Sequence, residues 1–167
     1  MGDLLFATKP RSVGDVSAGK DLGHQVPSTT DGPIGMFDSG FGGLTVVRAV
    51  IDLLPSEDLV YIGDTGRYPY GDKKPEDVRG YARELAWSLV KDHHAKAIVV
   101  ACNTAAAALP VHELEAELAA AGVMVPVIGV IEPGAQSLVR ATRSGRVGVI
   151  GTMGTIGSGA YDRAVAR

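Results

Sequence analysis

From Gly32 onwards, short apolar runs alternate along the chain with longer stretches of helical periodicity. Apolar runs of this kind are typical of buried strands, and apolar positions three or four residues apart are typical of amphipathic helices. The apolar runs predict strands at 34–37, 59–62, 97–101, 127–130 and 146–150. The periodic stretches predict helices at 44–54, 75–94, 103–121, 135–142 and 158–167. This alternation indicates βα units around a parallel sheet, and therefore an α/β fold.

Residues 1–31 contain scattered Gly, Ser, Asp, Lys and Pro with no sustained period of either kind. Because no packed element is specified there, we expect a disordered N-terminal extension. The exception is Leu4-Leu5-Phe6, a short apolar patch that could dock onto the rest of the protein.

Composition narrows the class of protein. Hydrophobic residues make up 46% of the 167 residues, and the formal net charge of -3 argues against a surface for nucleic acids or anionic membranes. One cysteine cannot form a disulfide within the chain, which indicates a reducing compartment. No apolar run approaches the roughly 18 residues of a membrane span. We therefore expect a soluble, cytoplasmic protein.

The single cysteine lies where a predicted strand meets a predicted helix, in Ala101-Cys102-Asn103-Thr104. Unpaired N–H groups and the positive end of the helix dipole converge at such a position, so we expect the Cys102 thiol to ionise more easily than an ordinary cysteine. Cys102 is thus a candidate acid/base or nucleophile. The alternative is a small buried hydrophobe, which is the commoner state of a lone cysteine.

The turns that follow parallel strands meet at one edge of a sheet. Here they supply a thiol, hydroxyls, an amide and carboxylates, from Asp38, Ser39, Asp64, Tyr70, Gly71, Cys102, Asn103, Thr104 and Thr152. This set suits a small zwitterion or a carboxylate. An alternative is a nucleotide site on the glycine-rich turn 38–43 with Asp64 as the ribose-binding acid, although the glycine spacing differs from that motif and Asp38 would repel a pyrophosphate. A further interpretation of Asp38 is that it is an ordinary turn residue.

A metal site is not expected. His93 and His94 lie together at the end of a predicted helix without a cysteine or a pair of carboxylates to complete a ligand set. His112, ten residues beyond Cys102 in the predicted helix 103–121, would lie roughly 15 Å from it along the axis. A direct Cys/His pair is therefore excluded by that helix.

Four segments together, 37–43, 63–71, 101–105 and 149–152, resemble the glutamate racemases of the aspartate/glutamate racemase superfamily. The resemblance runs from about Pro33 to the last residue. It implies a flavodoxin-like three-layer αβα fold around a parallel sheet, with two similar domains facing each other across the site. Residues 32–125 would form most of the first domain, and 126–167 only the opening part of the second.

The resemblance also implies an activity, which is the cofactor-independent racemisation of L-glutamate to D-glutamate for peptidoglycan synthesis and cell wall biogenesis. In that family two cysteines act as acid and base on opposite faces of the substrate. Cys102 would be one of them, and Asp38 would tune the proton transfer. The substrate-binding residues implied by the resemblance are Asp38, Ser39, Tyr70, Gly71, Asn103 and Thr104, with Thr152 a weaker candidate.

The family's second cysteine belongs to a Cys-Thr-His segment that this chain lacks, so we expect the chain to be inactive alone. Its expected partner is glutamate, with no nucleic acid, membrane, metal or cofactor, and a homodimer is left open. Two alternatives also stay open. One is an aspartate or broad-specificity amino-acid racemase, and the other is a non-catalytic α/β module that binds carboxylates or nucleotides.

Overall fold

A computed structural model describes residues 4–8 and 31–167. Its sheet contains five strands, which in chain order are β1 (Leu4–Thr8), β2 (Ile34–Asp38), β3 (Leu59–Gly63), β4 (Ala97–Val100) and β5 (Val127–Gly129). The spatial order is β1-β3-β2-β4-β5, with β1 antiparallel to β3 and the other neighbours parallel. The four parallel strands thus follow the order of a flavodoxin-like sheet, and the predicted α/β fold is confirmed.

Seven helices accompany this sheet within the described residues: α1 (Leu44–Leu53), α2 (Pro75–Lys91), α3 (Asn103–Ala108), α4 (Val111–Ala120), α5 (Ile131–Ala141), α6 (Met153–Gly157) and α7 (Ala160–Val165). A short 3₁₀ turn covers Tyr70–Asp72. None of these helices combines the length and the apolar character that a membrane span requires.

The two faces of the sheet are covered by different helices. Met36 and Phe37 point to opposite faces, as successive residues of a strand do. Met36 belongs to a cluster that packs against α1 through Val47. Phe37 lies in the larger cluster, which includes Leu89 of α2 and Leu118 of α4. The sheet therefore lies between a layer with α1 and a layer with α2 and α4, which gives the three-layer arrangement.

The break between α3 and α4 corrects the single helix predicted over 103–121. Leu109 has an extended backbone, and Pro110 precedes the first residue of α4. Proline lacks the N–H that a continuous helix would need, and it disfavours helical geometry in the residue before it. His112 is consequently in α4, separate from the helix that follows Cys102.

The predicted disorder of residues 1–31 is wrong for residues 4–8, because they form β1. The apolar patch Leu4-Leu5-Phe6, which we excepted from that disorder as a segment that could dock, lies in this strand. The edge of β3 supplies hydrogen-bonding partners that cannot be read from local sequence: Leu4 aligns with Gly63 and Thr8 with Leu59. Residues 1–3 and 9–30 lie outside the described residues.

Two predictions in the second half of the chain also change. Residues 146–150 form no strand in the described part of the chain, and Ile150 is fully exposed. An extended segment becomes a strand only when another strand pairs with its backbone. Conversely, β5 pairs with β4, so residues 127–129 belong to the same sheet as β2. The boundary predicted after residue 125 is corrected for these residues, and the assignment of 130–167 to a second domain stays a prediction.

Candidate active site

The site lies at the carboxyl ends of β2 and β4, where parallel pairing brings two distant turns together. Phe37 of β2 aligns with Val100 of β4, and the Ala101 N–H donates to the Phe37 carbonyl oxygen at 2.9 Å. The residues that follow therefore meet, and the Cys102 thiol donates to the Ser39 hydroxyl with 3.5 Å between Sγ and Oγ. The predicted convergence of the first and third turns is confirmed.

Cys102 lies at the strand-to-helix junction that the sequence predicts, and the structure makes it the N-cap residue of α3. Its backbone is extended, and its Sγ accepts a hydrogen bond from the Ala105 N–H at 3.4 Å. The side chain is largely enclosed, since only 5% of Cys102 is exposed. A sulfur in this position touches both the start of a helix and the turn after β2.

The acidity of this thiol differs from our prediction. Burial raises the pKa of Cys102, the negative charge of Asp38 raises it further, and the hydrogen bonds that the sulfur makes with Ser39 and with the Ala105 N–H oppose the increase without cancelling it. Removing a thiolate from water is costly because the interior solvates charge poorly. The expectation of an easily ionised thiol is therefore wrong.

Alkylation of Cys102 by iodoacetamide is expected to be slow near neutral pH. Only the thiolate reacts, and the raised pKa shifts the inflection of rate against pH above that of a free cysteine. The measurement is the alkylation rate over a pH series by mass spectrometry. The same chain in denaturant is the control and should show an ordinary cysteine profile. A native profile that inflects at lower pH than the denatured one would contradict the structure.

The turn after β2 is organised by the carboxylate of Asp38. Its Oδ2 accepts the N–H groups of Gly40 at 3.0 Å and Gly43 at 3.1 Å, and the side chain is buried. The Tyr61 hydroxyl donates to the Gly40 carbonyl oxygen at 2.9 Å. Two N–H groups of the glycine-rich turn are thus already bound to the protein's own carboxylate, so these two do not bind a nucleotide phosphate in this arrangement.

Asp64 supports the loop that contains Tyr70 and Gly71. It is buried, and its Oδ2 accepts hydrogen bonds from the Tyr70 hydroxyl and from Arg67 Nε. Arg67 also pairs with Glu84 of α2. Asp64 is therefore unavailable to a ribose, and the Tyr70 hydroxyl is committed to Asp64. Tyr70 and Gly71 were predicted to bind a ligand. Because the Tyr70 hydroxyl is bound to Asp64, these two residues offer a ligand their main-chain groups.

A cluster of three threonine hydroxyls joins α3 to α6. The Oγ1 atom of Thr104 lies 3.0 Å from that of Thr152 and 3.2 Å from that of Thr155. Thr152 is also the N-cap of α6, and a Cβ on Gly71 would come within 2.7 Å of its methyl group. The structure therefore groups three of the predicted residues, Gly71, Thr104 and Thr152, and adds Thr155.

Sequence reasoning missed Thr155 and Tyr161. Thr155 could have been found from the spacing Thr-x-x-Thr, because a helix N-cap such as Thr152 contacts the third residue of its helix. Tyr161 of α7 donates from its hydroxyl to Asn103 Oδ1 at 2.7 Å, and no local pattern indicates this contact. Asn103 is thus held by a residue from the far end of the described chain.

No group of three or more His, Cys, Asp or Glu side chains within residues 4–8 and 31–167 is arranged to hold a metal ion. Beside the threonine cluster an open groove separates α2, α3 and α6, and it is lined in part by Lys73, Val78, Ala108 and Met153. The polar groups around Cys102 are hydroxyls, an amide and main-chain groups, which can bind a carboxylate or an ammonium group.

Comparison with known proteins places this arrangement in a class. Residues 43–167 match the model of the Asp/Glu/Hydantoin racemase family, and the chain belongs to that family. Among its relatives are the glutamate racemases of Chlorobaculum tepidum, 54% identical over 143 residues, and of Geobacter metallireducens, 54% identical over 134 residues. These alignments cover 85% and 80% of this chain and 49% and 47% of the relatives.

Solved structures give the same result. The chain resembles glutamate racemase from Thermus thermophilus in complex with beta-chloro-D-alanine, with a TM-score of 0.70, 50% identity and coverage of 81% of this chain and 49% of the other. It also resembles the Francisella tularensis glutamate racemase in complex with D-glutamate, with a TM-score of 0.70, 43% identity and coverage of 81% and 48%. The chain spans about half the length of the curated relatives it matches.

Proposed function

We propose that the protein represented by this chain interconverts L- and D-glutamate by moving the α-proton, without a cofactor. The observation that supports this most directly is the position of Cys102, whose sulfur lies at the carboxyl edge of the sheet in contact with Ser39. The relatives named as glutamate racemases, and the related structure that contains D-glutamate, support glutamate as the substrate.

In the proposed reaction a thiolate takes the α-proton from one face of the amino acid, and the electron pair of the broken C–H bond passes to the carbon and its carboxylate. An acid on the opposite face then donates a proton to that carbon, which inverts the centre. Cys102 serves as the base for one enantiomer and as the acid for the other. Its raised pKa favours the protonated thiol, which is the acid of the pair.

The groups around Cys102 have separate proposed roles. Ser39, Asn103, Thr104 and the main chain of Tyr70–Gly71 bind the carboxylates and ammonium group of glutamate. Asp38 supports the turn through Gly40 and Gly43, and its charge tunes the thiol by raising the Cys102 pKa.

Racemisation needs a proton carrier on each face, and the chain contains one cysteine. We propose that the chain alone does not racemise glutamate. We also propose that the product serves peptidoglycan synthesis and that the protein works in the cytoplasm, where a free thiol stays reduced. Residues 130–167 are proposed to open a second domain.

The purified chain is expected to bind glutamate at Cys102 without racemising it. At a pH where alkylation of Cys102 is measurable, millimolar L- or D-glutamate should slow the reaction, because the ligand covers the thiol. Chiral chromatography of the same samples should show no inversion above the rate of buffer alone. The same alkylation measurement with aspartate in place of glutamate tests whether the site prefers glutamate.

The control for turnover is Cys102→Ser, which keeps a hydroxyl able to cap α3 but removes the thiol. Inversion by the chain that disappears in this variant would contradict the proposed inactivity while supporting the proposed chemistry. Alkylation that neither enantiomer of glutamate slows would contradict the proposed substrate site.

A further inference from the structure

We propose that β1 is an intramolecular cap on the sheet edge formed by β3, and that the edge it covers fits the same edge of a second copy of this chain. In the described structure, β1 is the strand that lies outside β3. Without it, one side of β3 would present unpaired N–H and C=O groups, and such an edge is a template for pairing with another chain.

The composition of β3 favours pairing of its open edge with another strand. Its residues, Leu59–Gly63, are uncharged, and all five are buried. β-Branched and aromatic side chains such as Val60, Tyr61 and Ile62 favour extended pairing. The strand also lacks the lysine or proline that natural proteins place on open edges to prevent association. Another element must therefore protect it, and β1 provides that protection.

The direction of β1 identifies the competing partner. It runs antiparallel to β3, with Phe6 opposite the central residue Tyr61. Two copies related by a twofold axis would also place their β3 strands antiparallel, with Leu59 of each copy opposite Gly63 of the other. β1 thus occupies the place that the β3 strand of a second copy would take.

The chain connection favours the intramolecular cap. Thr8 and Ile34 align with the same residue, Leu59, from its two sides. The ends of the connecting segment 9–33 are therefore about two strand spacings apart, or about 10 Å. A segment tethered at such a short distance has an effective concentration on the order of millimolar, so it outcompetes a second copy at micromolar protein.

Two side chains of β1 point into solvent. Leu5 is 56% exposed and Ala7 is also exposed, so these two side chains add little burial. Changes that disturb the backbone of β1 should therefore release the edge, whereas changes to its exposed side chains should not.

The test compares the full chain with a variant that lacks residues 1–8, by hydrogen exchange of the β3 amides and by sedimentation velocity. At low concentration the outward amides of β3 should exchange at least about tenfold faster in the variant, because their local protection is lost. At high concentration protection should return as dimers form. In the full chain, exchange of these amides should not depend on concentration.

Two further variants separate pairing from general damage. Leu5→Thr changes an exposed side chain and keeps the backbone, so it should behave like the full chain. Phe6→Pro removes an N–H at the centre of β1 and should behave like the truncated chain, and it decides the question if truncation prevents folding. A peptide of residues 1–10 should restore protection to the truncated chain.

Folded variants whose β3 amides remain protected at low concentration would overturn the cap. If the β3 amides of the truncated chain exchange rapidly at high as well as low protein concentration, the proposal that a second copy pairs with this edge is overturned. Association that leaves β3 exchange unchanged would mean that another surface joins the copies, and it would overturn the proposal equally. These outcomes are independent of glutamate binding and of racemisation.

Discussion

Replacing Asp38 with alanine is expected to lower the free energy of unfolding by about 2–6 kcal/mol, because two buried N–H groups are left without a partner and each costs about 1–3 kcal/mol. The two N–H groups are those of Gly40 and Gly43, which both donate to Asp38 Oδ2. The turn also leads directly into α1, so its loss frees the start of that helix. Urea unfolding followed by circular dichroism measures the change.

Asp38→Asn is the matched control, because the amide oxygen can still accept from both glycines. We expect it to lose less than half the stability that alanine loses. It should also lower the pKa of Cys102, because the carboxylate charge that raises this pKa is removed. The alkylation profile should then shift to lower pH. Equal stability losses in the two variants would contradict the role of the hydrogen bonds, and an unshifted profile would contradict the role of the charge.

Leu89→Ala is expected to lower the free energy of unfolding by about 2–5 kcal/mol, the usual range for truncating a buried leucine. Leu89 of α2 is fully buried, and its methyl groups would lie 3.1 Å from a Cβ on Gly35 of β2. The helix is thus packed directly on the backbone of the sheet, and the space left by alanine cannot be refilled easily. Urea unfolding with a fixed m-value measures the loss.

The comparison variant is Leu53→Ala near the end of α1, where the side chain is 77% exposed. Its expected change is within about 0.5 kcal/mol, as for most surface substitutions. The difference between the two leucines separates burial from helix propensity, since both positions are helical. Similar losses at both positions would show that α2 does not pack on the sheet as described.

Local patterns predicted much of the site. The apolar runs located β2, β3, β4 and β5, and the parallel arrangement they implied placed the turn after Asp38 beside Cys102. The position of Cys102 between β4 and α3 also followed from sequence, because the end of the apolar run and the start of the helical stretch are visible in neighbouring residues. These features were predictable since strand and helix signals act over short distances along the chain.

Other features depended on contacts between distant residues. The pKa of Cys102 was predicted in the wrong direction because burial is a property of the assembled core, whereas the helix terminus is visible locally. Residues 146–150 had a strand pattern but no strand to pair with in the described chain. Residues 4–8 had almost no strand pattern, but the edge of β3 was available to pair with them. In both cases the available backbone partner decided the outcome.

The sequence by itself determined the alternation of β2, β3, β4 and β5 with helices, the position of the thiol at a strand-to-helix junction and the membership of a racemase family. Only the tertiary structure decided how acidic the thiol is, that Tyr161 holds Asn103, and that an N-terminal strand closes the sheet. The physical reason is distance along the chain: Ser39 and Cys102 are 63 positions apart, and Asn103 and Tyr161 are 58. Such groups exchange hydrogen bonds and lose water only after the sheet has assembled.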